Sequence, residues 1–125
     1  MFGLFNKSTA EPLQVDLHSH LIPGIDDGCK TVEDSIEILQ SLKRAGINKV
    51  ITTPHIAKEF YPNTPEIIKE GLSTVRKALE SNGIDIQLEA AAEYYMDEHF
   101  LQMLRNDEPL LTFGENLLLF ETPFY

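Results

Sequence analysis

One pattern constrains the fold of this chain more than any other: short segments with an apolar period of two alternate with longer segments of helical period. From Leu13 to His18, apolar Leu13, Val15 and Leu17 alternate with Gln14, Asp16 and His18, which predicts a strand. Pro23-Gly24 and Asp27-Gly28 then punctuate a loop. Thr31 has the chemistry of a helix N-cap, with Asp34 as capping-box partner. Val32, Ile36, Leu39 and Leu42 follow at helical spacing, Lys43 and Arg44 suit the last turn, and Gly46 supplies the stop. Lys49 to Thr53 is a β-branched run that predicts a second strand, ended by Pro54. Thr64-Pro65 opens a second helix with a cap and a proline at its first position. Its apolar stripe is Ile68, Leu72, Val75 and Leu79, and Asn82-Gly83 ends it. Ile86 to Ala92 predicts a third strand and Asp97 to Leu104 a short third helix. Leu117 to Phe120, four apolar residues in succession, predicts a strand buried on both faces.

The order is β-α-β-α-β-α-β, an α/β chain with a parallel sheet and right-handed crossovers. Two architectures satisfy it: an open doubly wound sheet, or part of a (β/α) barrel. In both, chemistry gathers at the C-terminal ends of the strands.

Composition narrows the classes of function. A chain of 125 residues, 42% of them apolar, suits one domain with a real core. It has 20 acidic against 10 basic side chains, with the acids concentrated after Phe60. A nucleic-acid binder would need the opposite balance to neutralise phosphates. The single cysteine, Cys29, excludes a disulfide framework within the chain and fits a reducing compartment. Residues 1–12 lack the apolar core of a secretory signal and are expected to form a loosely packed tail. No segment has the ~18–20 continuous apolar residues of a membrane-spanning helix. The expected location is cytoplasmic.

Each expected strand delivers histidine or carboxylate at its C-terminal end. The first ends in His18-Ser19-His20, whose two imidazoles lie on one side of an extended chain. The second ends in Thr53-Pro54-His55, the third in Glu93 after the small residues Ala90-Ala91-Ala92, and the fourth in Glu121. A carboxylate directly after an apolar strand is costly unless it is paired or bound to a cation. Neutral imidazole with carboxylate suits zinc, manganese or iron. Asp26 and Asp27 precede Gly28, where Asp-Gly is a common turn pair, yet Asp27 is placed to join the same cluster. His99 falls inside an expected helix and reads as a surface residue. There is no Ser-His-Asp order, phosphate-cradling glycine loop or C-x5-R nucleophile motif. Metal-activated water is then the favoured route to hydrolysis.

The stretch Asp16-Leu17-His18-Ser19-His20, followed by Pro23-Gly24-Ile25-Asp26-Asp27-Gly28, resembles the opening motif of the PHP (polymerase and histidinol phosphatase) family. More narrowly, it is similar to the bacterial protein-tyrosine phosphatases of capsular and exopolysaccharide synthesis. Thr52-Thr53-Pro54-His55, Ala92-Glu93-Tyr94-Tyr95 and Leu119-Phe120-Glu121 match further stations in order. The resemblance implies a distorted (β/α)7 TIM-like barrel with up to three divalent metals, often manganese, sometimes iron or zinc. By position it implies His18 and His20 on one metal and Glu93 bridging it to a second. Glu121 would serve that second ion, and Asp27 and His55 the third. It further implies phosphomonoester hydrolysis of phosphotyrosine on a bacterial tyrosine kinase, with His18, His20 and Glu93 acting through a metal-bound hydroxide.

The family's later ligands and phosphate-binding arginines belong to stations that do not occur here. Arg44, Arg76 and Arg105 lie on expected helices and are not assigned to that task. The expectation is therefore that residues 13–125 form the N-terminal half of such a barrel and carry only part of a site, inactive alone. The last strand would then be an open edge available for self-association. Two other readings stand beside it: a truncated, inactive metal-binding or interaction module, and a PHP phosphatase of small phosphates such as histidinol phosphate.

Overall fold

The helices begin where side chains can satisfy their first free N–H groups. In the computed structural model, which describes residues 14–124, α1 (Val32–Arg44) starts at Thr31. The Thr31 hydroxyl accepts from Asp34 N–H at 3.1 Å and the Asp34 carboxylate accepts from Thr31 N–H at 2.9 Å, a reciprocal capping box. Helix α2 (Pro65–Ser81) opens on Thr64 with proline at its first turn. Helix α3 (Glu98–Arg105) is capped by Asp97, whose carboxylate accepts from Phe100 N–H at 2.8 Å. The tail expected over residues 1–12, and Leu13 at the start of the first expected strand, lie outside the described residues.

All strand pairs within the sheets are parallel. Strands β1 (Val15–Asp16), β2 (Lys49–Thr52) and β4 (Gln87–Ala90) form one sheet in the order β1-β2-β4. Strands β3 (His55–Ile56), β5 (Glu93–Tyr95) and β6 (Leu119–Glu121) form a second, ordered β3-β5-β6. The second expected strand is therefore not ended by Pro54: it breaks at Thr53-Pro54, where proline offers no N–H to a ladder, and resumes as β3. The third breaks alongside it at Ala91-Ala92 and resumes as β5. Register is kept across the break, from Thr52 opposite Ala90 to His55 opposite Glu93. Ala91 N–H to Thr52 O (2.9 Å) and Glu93 N–H to Pro54 O (3.0 Å) tie the two passes together there. The small side chains let a later segment reach in, and Ala92 N–H donates to Leu111 O at 3.1 Å.

The core has two parts, one under each sheet. Leu21, Ile22, Leu39, Val50, Val75, Leu79 and Leu88 fill the first, and Ile56, Ile68, Tyr94, Phe100 and Met103 the second. Burying each such side chain stabilises the fold by roughly 1.5–3 kcal/mol. Gly71 is part of why α2 sits so close: a Cβ there would overlap the Ile22 side chain. This contact pins the segment after β1, which carries the histidines, onto the body of the protein.

The last strand differs from the expectation of two buried faces. β6 begins only at Leu119, Leu117 belongs to a tight turn bridged to Phe113, and both Leu117 and Phe120 are exposed. Among the described residues β6 pairs only with β5, so it is an edge. No helix among the described residues is long and apolar enough to cross a membrane.

Candidate metal centre

The break in the sheets lies at the C-terminal ends of β2 and β4, and the chemistry is assembled around it. After β1 the chain stays extended beside β2: Thr53 N–H donates to Ser19 O at 2.6 Å, while Thr52 Oγ1 accepts from Leu21 N–H and donates to Ser19 O, both at 2.9 Å. This places His18 and His20 against the start of β5. Glu93 opens β5 directly opposite His55, the first residue of β3. Glu121 closes β6, and Asp27 comes from the loop before α1.

All six side chains singled out in the sequence converge. His20 Nε2 lies 3.2 Å, His55 Nδ1 3.3 Å and His18 Nε2 4.0 Å from Glu93 Oε2. Asp27 Oδ1 is 3.4 Å from His55 Nε2 and 3.8 Å from His20 Nδ1, and Glu121 Oε2 is 3.8 Å from His55 Nδ1. Three groups could each hold an ion: His18, His20 and Glu93; His20, Asp27 and His55; His55, Glu93 and Glu121. Their candidate ligand atoms lie within 4.8 Å of one another. His99 stays outside the cluster, as expected, half-buried on α3 beside a separate cleft.

The decisive atom is Glu93 Oε2. It is buried, three imidazole rings surround it, and it has no hydrogen-bond partner. A buried carboxylate oxygen with no partner is strongly unfavourable, and a cation removes the penalty. Among the described residues no lysine or arginine forms an ion pair with Asp26, Asp27, Glu93 or Glu121. Arg44 binds Ser41, Arg76 clamps the Leu88 carbonyl and Arg105 pairs with Glu98. The donor set thus fits divalent metal: mixed imidazole and carboxylate with an excess of negative charge, beside which the Lys30 ammonium binds only the Asp26 backbone carbonyl, at 2.9 Å.

Sequence reasoning missed the support behind these side chains. Asp26 is fully buried and acts as a hub: Oδ2 takes His20 Nδ1–H at 2.8 Å and His55 N–H at 3.0 Å, and Oδ1 takes Gly28 N–H at 2.9 Å. Its Asp-Asp-Gly context suggested a turn, and nothing local in the sequence announces bonds to residue 55. Burial pushes the Asp26 carboxyl up, but the bonds from His20, Gly28 and His55 outweigh it and hold it below the usual range. The His20 imidazole is correspondingly raised, chiefly by its bond to Asp26, against burial and with help from the charges of Asp26, Glu93 and Asp27. Asp26 accepts the hydrogen bond from Nδ1–H while Nε2 faces Glu93, the arrangement by which a carboxylate orients a metal-binding histidine. Thr53 Oγ1 shares a 2.7 Å hydrogen bond with His18 Nδ1 and orients that ring in the same way. Asn63 ties the two loops together, donating to Ile25 O at 2.9 Å and His55 O at 2.8 Å.

Fold and site together define a parallel α/β protein with a candidate metal centre where its strands end. The chain belongs to the capsular polysaccharide synthesis CpsB/CapC family, whose model matches residues 14–123. It is 30% identical over 110 residues to the tyrosine-protein phosphatase YwqE of Bacillus subtilis, covering 88% of this chain and 43% of that protein. It is also 30% identical over 94 residues to the tyrosine-protein phosphatase CpsB of Streptococcus pneumoniae, covering 75% and 39%. Its structure superposes with a TM-score of 0.74, at 28% identity, on a chain from crystal structures of these two proteins, described as unique metal-dependent tyrosine phosphatases. That match covers 88% of this chain and 44% of the other. The chain therefore spans less than half the length of the relatives it matches.

Proposed function

We propose that this chain supplies the N-terminal half of a (β/α)7 barrel and most of a trinuclear metal site that hydrolyses phosphotyrosine on a protein substrate, a bacterial tyrosine kinase of polysaccharide synthesis. The observation that carries the reading is the unpartnered Glu93 Oε2 at the meeting point of His18, His20 and His55. Family membership and the metal dependence stated for the structural neighbours support it. The single buried Cys29 fits a reducing compartment, which supports a cytoplasmic location.

In this reading His18, His20 and Glu93 would hold one ion, and Glu93 with Glu121 would serve a second. Asp27 and His55 would hold the third, with manganese the favoured metal and iron or zinc the alternatives. Bound metal supplies an activated water and neutralises phosphoryl charge. The protein's own contribution is orientation. Asp26 and Thr53 fix the His20 and His18 rings, and the backbone at His55 is clamped between Asp26 and Asn63. The donors are thereby held in place before any ion arrives.

The test is Glu93→Gln in the full natural chain that carries this sequence. Elemental analysis should show loss of bound metal, and turnover of a phosphotyrosine peptide should fall far more than binding of that peptide. Full metal content together with unchanged turnover would remove Glu93 from the centre and the proposal with it.

A further inference from the structure

Beside the candidate centre the chain makes a short, stiff turn that presents aromatic rings. Phe60 N–H donates to Ala57 O at 3.2 Å, and Ala57 and Tyr61 exchange backbone hydrogen bonds of 2.9 and 2.8 Å. The turn sends neighbouring rings to different places. Tyr61 stacks on His55, with ring centroids 5.3 Å apart and planes 11° apart. Phe60 stands out into solvent at 65% exposure and meets Tyr95 edge-on at 5.9 Å. These three rings, with His55, Asp27 and Glu121, line a cleft of about 190 Å³. In volume it compares with the ~150 Å³ that holds one benzene ring, and it is open to solvent and lined in part by carboxylates. The cleft is therefore lined by aromatic rings together with candidate metal donors.

We propose that Phe60, Tyr61 and Tyr95 form an aryl subsite that seats the ring of an aryl phosphomonoester while its phosphoryl group faces the metal centre. Phe60 is the residue that sets preference for aryl over alkyl esters. The inference rests on the phosphatase reading above and assigns to it the residues that would seat the substrate's ring. The exposed face of Phe60 is the surface such a ring would cover, and edge-on or offset contact between rings adds attraction beyond area burial. Tyr61 cannot serve as freely, because its face is already committed to His55.

The experiment measures binding of phenylphosphonate and methylphosphonate, neither of which has a cleavable ester, to the manganese-loaded full natural chain by calorimetry. The expected result is about tenfold tighter binding of the phenyl compound. Phe60→Ala should compress that ratio to about twofold, and Phe60→Leu should leave it in between. Saturation-transfer NMR should show the phenyl protons in contact with protein in the wild type and much less so in F60A. If both phosphonates bind the wild type equally, or F60A leaves the ratio intact, the aryl subsite is refuted while phosphoryl binding stands. If neither binds in the presence of manganese, the phosphatase reading fails and takes this inference with it.

Discussion

Asp26→Asn tests how much of the candidate centre depends on a residue that the sequence motif disguises as a turn. The substitution keeps shape and removes charge and one acceptor. Asp26 serves three donors, two at Oδ2 and one at Oδ1. If the asparagine oxygen takes the Oδ2 position, its NH2 faces Gly28 N–H, donor against donor. That buried N–H then goes unpaired, at about 1–3 kcal/mol. The His20 bond also loses its charge assistance, which roughly halves its strength. The sum is a loss of about 2–4 kcal/mol from a fold whose total stability is of order 5–15 kcal/mol. With His20 no longer oriented, manganese affinity should fall about 10–100-fold. Urea unfolding with chelator present reads the first effect, and manganese titration of the folded variant reads the second. Stability within about 0.5 kcal/mol of wild type and affinity within about twofold would refute the hub.

Two further perturbations follow from the same geometry. Gly28→Ala places a Cβ onto the carbonyl oxygen and Cβ of His20; it should cost about 1–3 kcal/mol and disorder the His20 ring, seen as a shifted imidazole resonance, and an unaltered resonance would contradict the contact. In the capping box, hydrogen bonds with Thr31, then one from Lys30 N–H, hold the Asp34 carboxyl below the usual range. A depressed folded-state value contributes stability above the ordinary carboxylate range and loses it as pH falls through that value. Asp34→Asn should therefore lower the urea midpoint near neutrality and converge with wild type at low pH, and parallel pH profiles would count against the box.

The legible part of this protein was its chemistry at strand ends. His18, His20, His55, Glu93 and Glu121 stood out because each follows a β-rich or apolar run, and Thr31, Thr64 and Asp97 marked helix starts because capping is local. What escaped was non-local. Nothing near Pro54 shows that its strand resumes one residue later, since that depends on a matching break at Ala91-Ala92 in another pass of the chain. The run from Leu117 to Phe120 looks like a strand with two buried faces, but burial is decided by neighbours, and β6 has β5 on one side only among the described residues. The bond from His55 N–H to Asp26 and that between Thr53 and His18 are hidden for the same reason, since they join positions 29 and 35 residues apart, whereas the Asp26 bonds to Gly28 and His20 are local and masked by the turn-like Asp-Asp-Gly context.

The paired break carries one more consequence. Two residues separate Thr52 from His55 and two separate Ala90 from Glu93, so both passes cross the gap in step. Side chains on a strand change faces with every residue, and a single added or lost position in either gap would turn His55 or Glu93 away from the other donors. The register therefore predicts that these two short stretches tolerate changes in composition but not in length, and a one-residue insertion after Thr53 that left metal content intact would refute it.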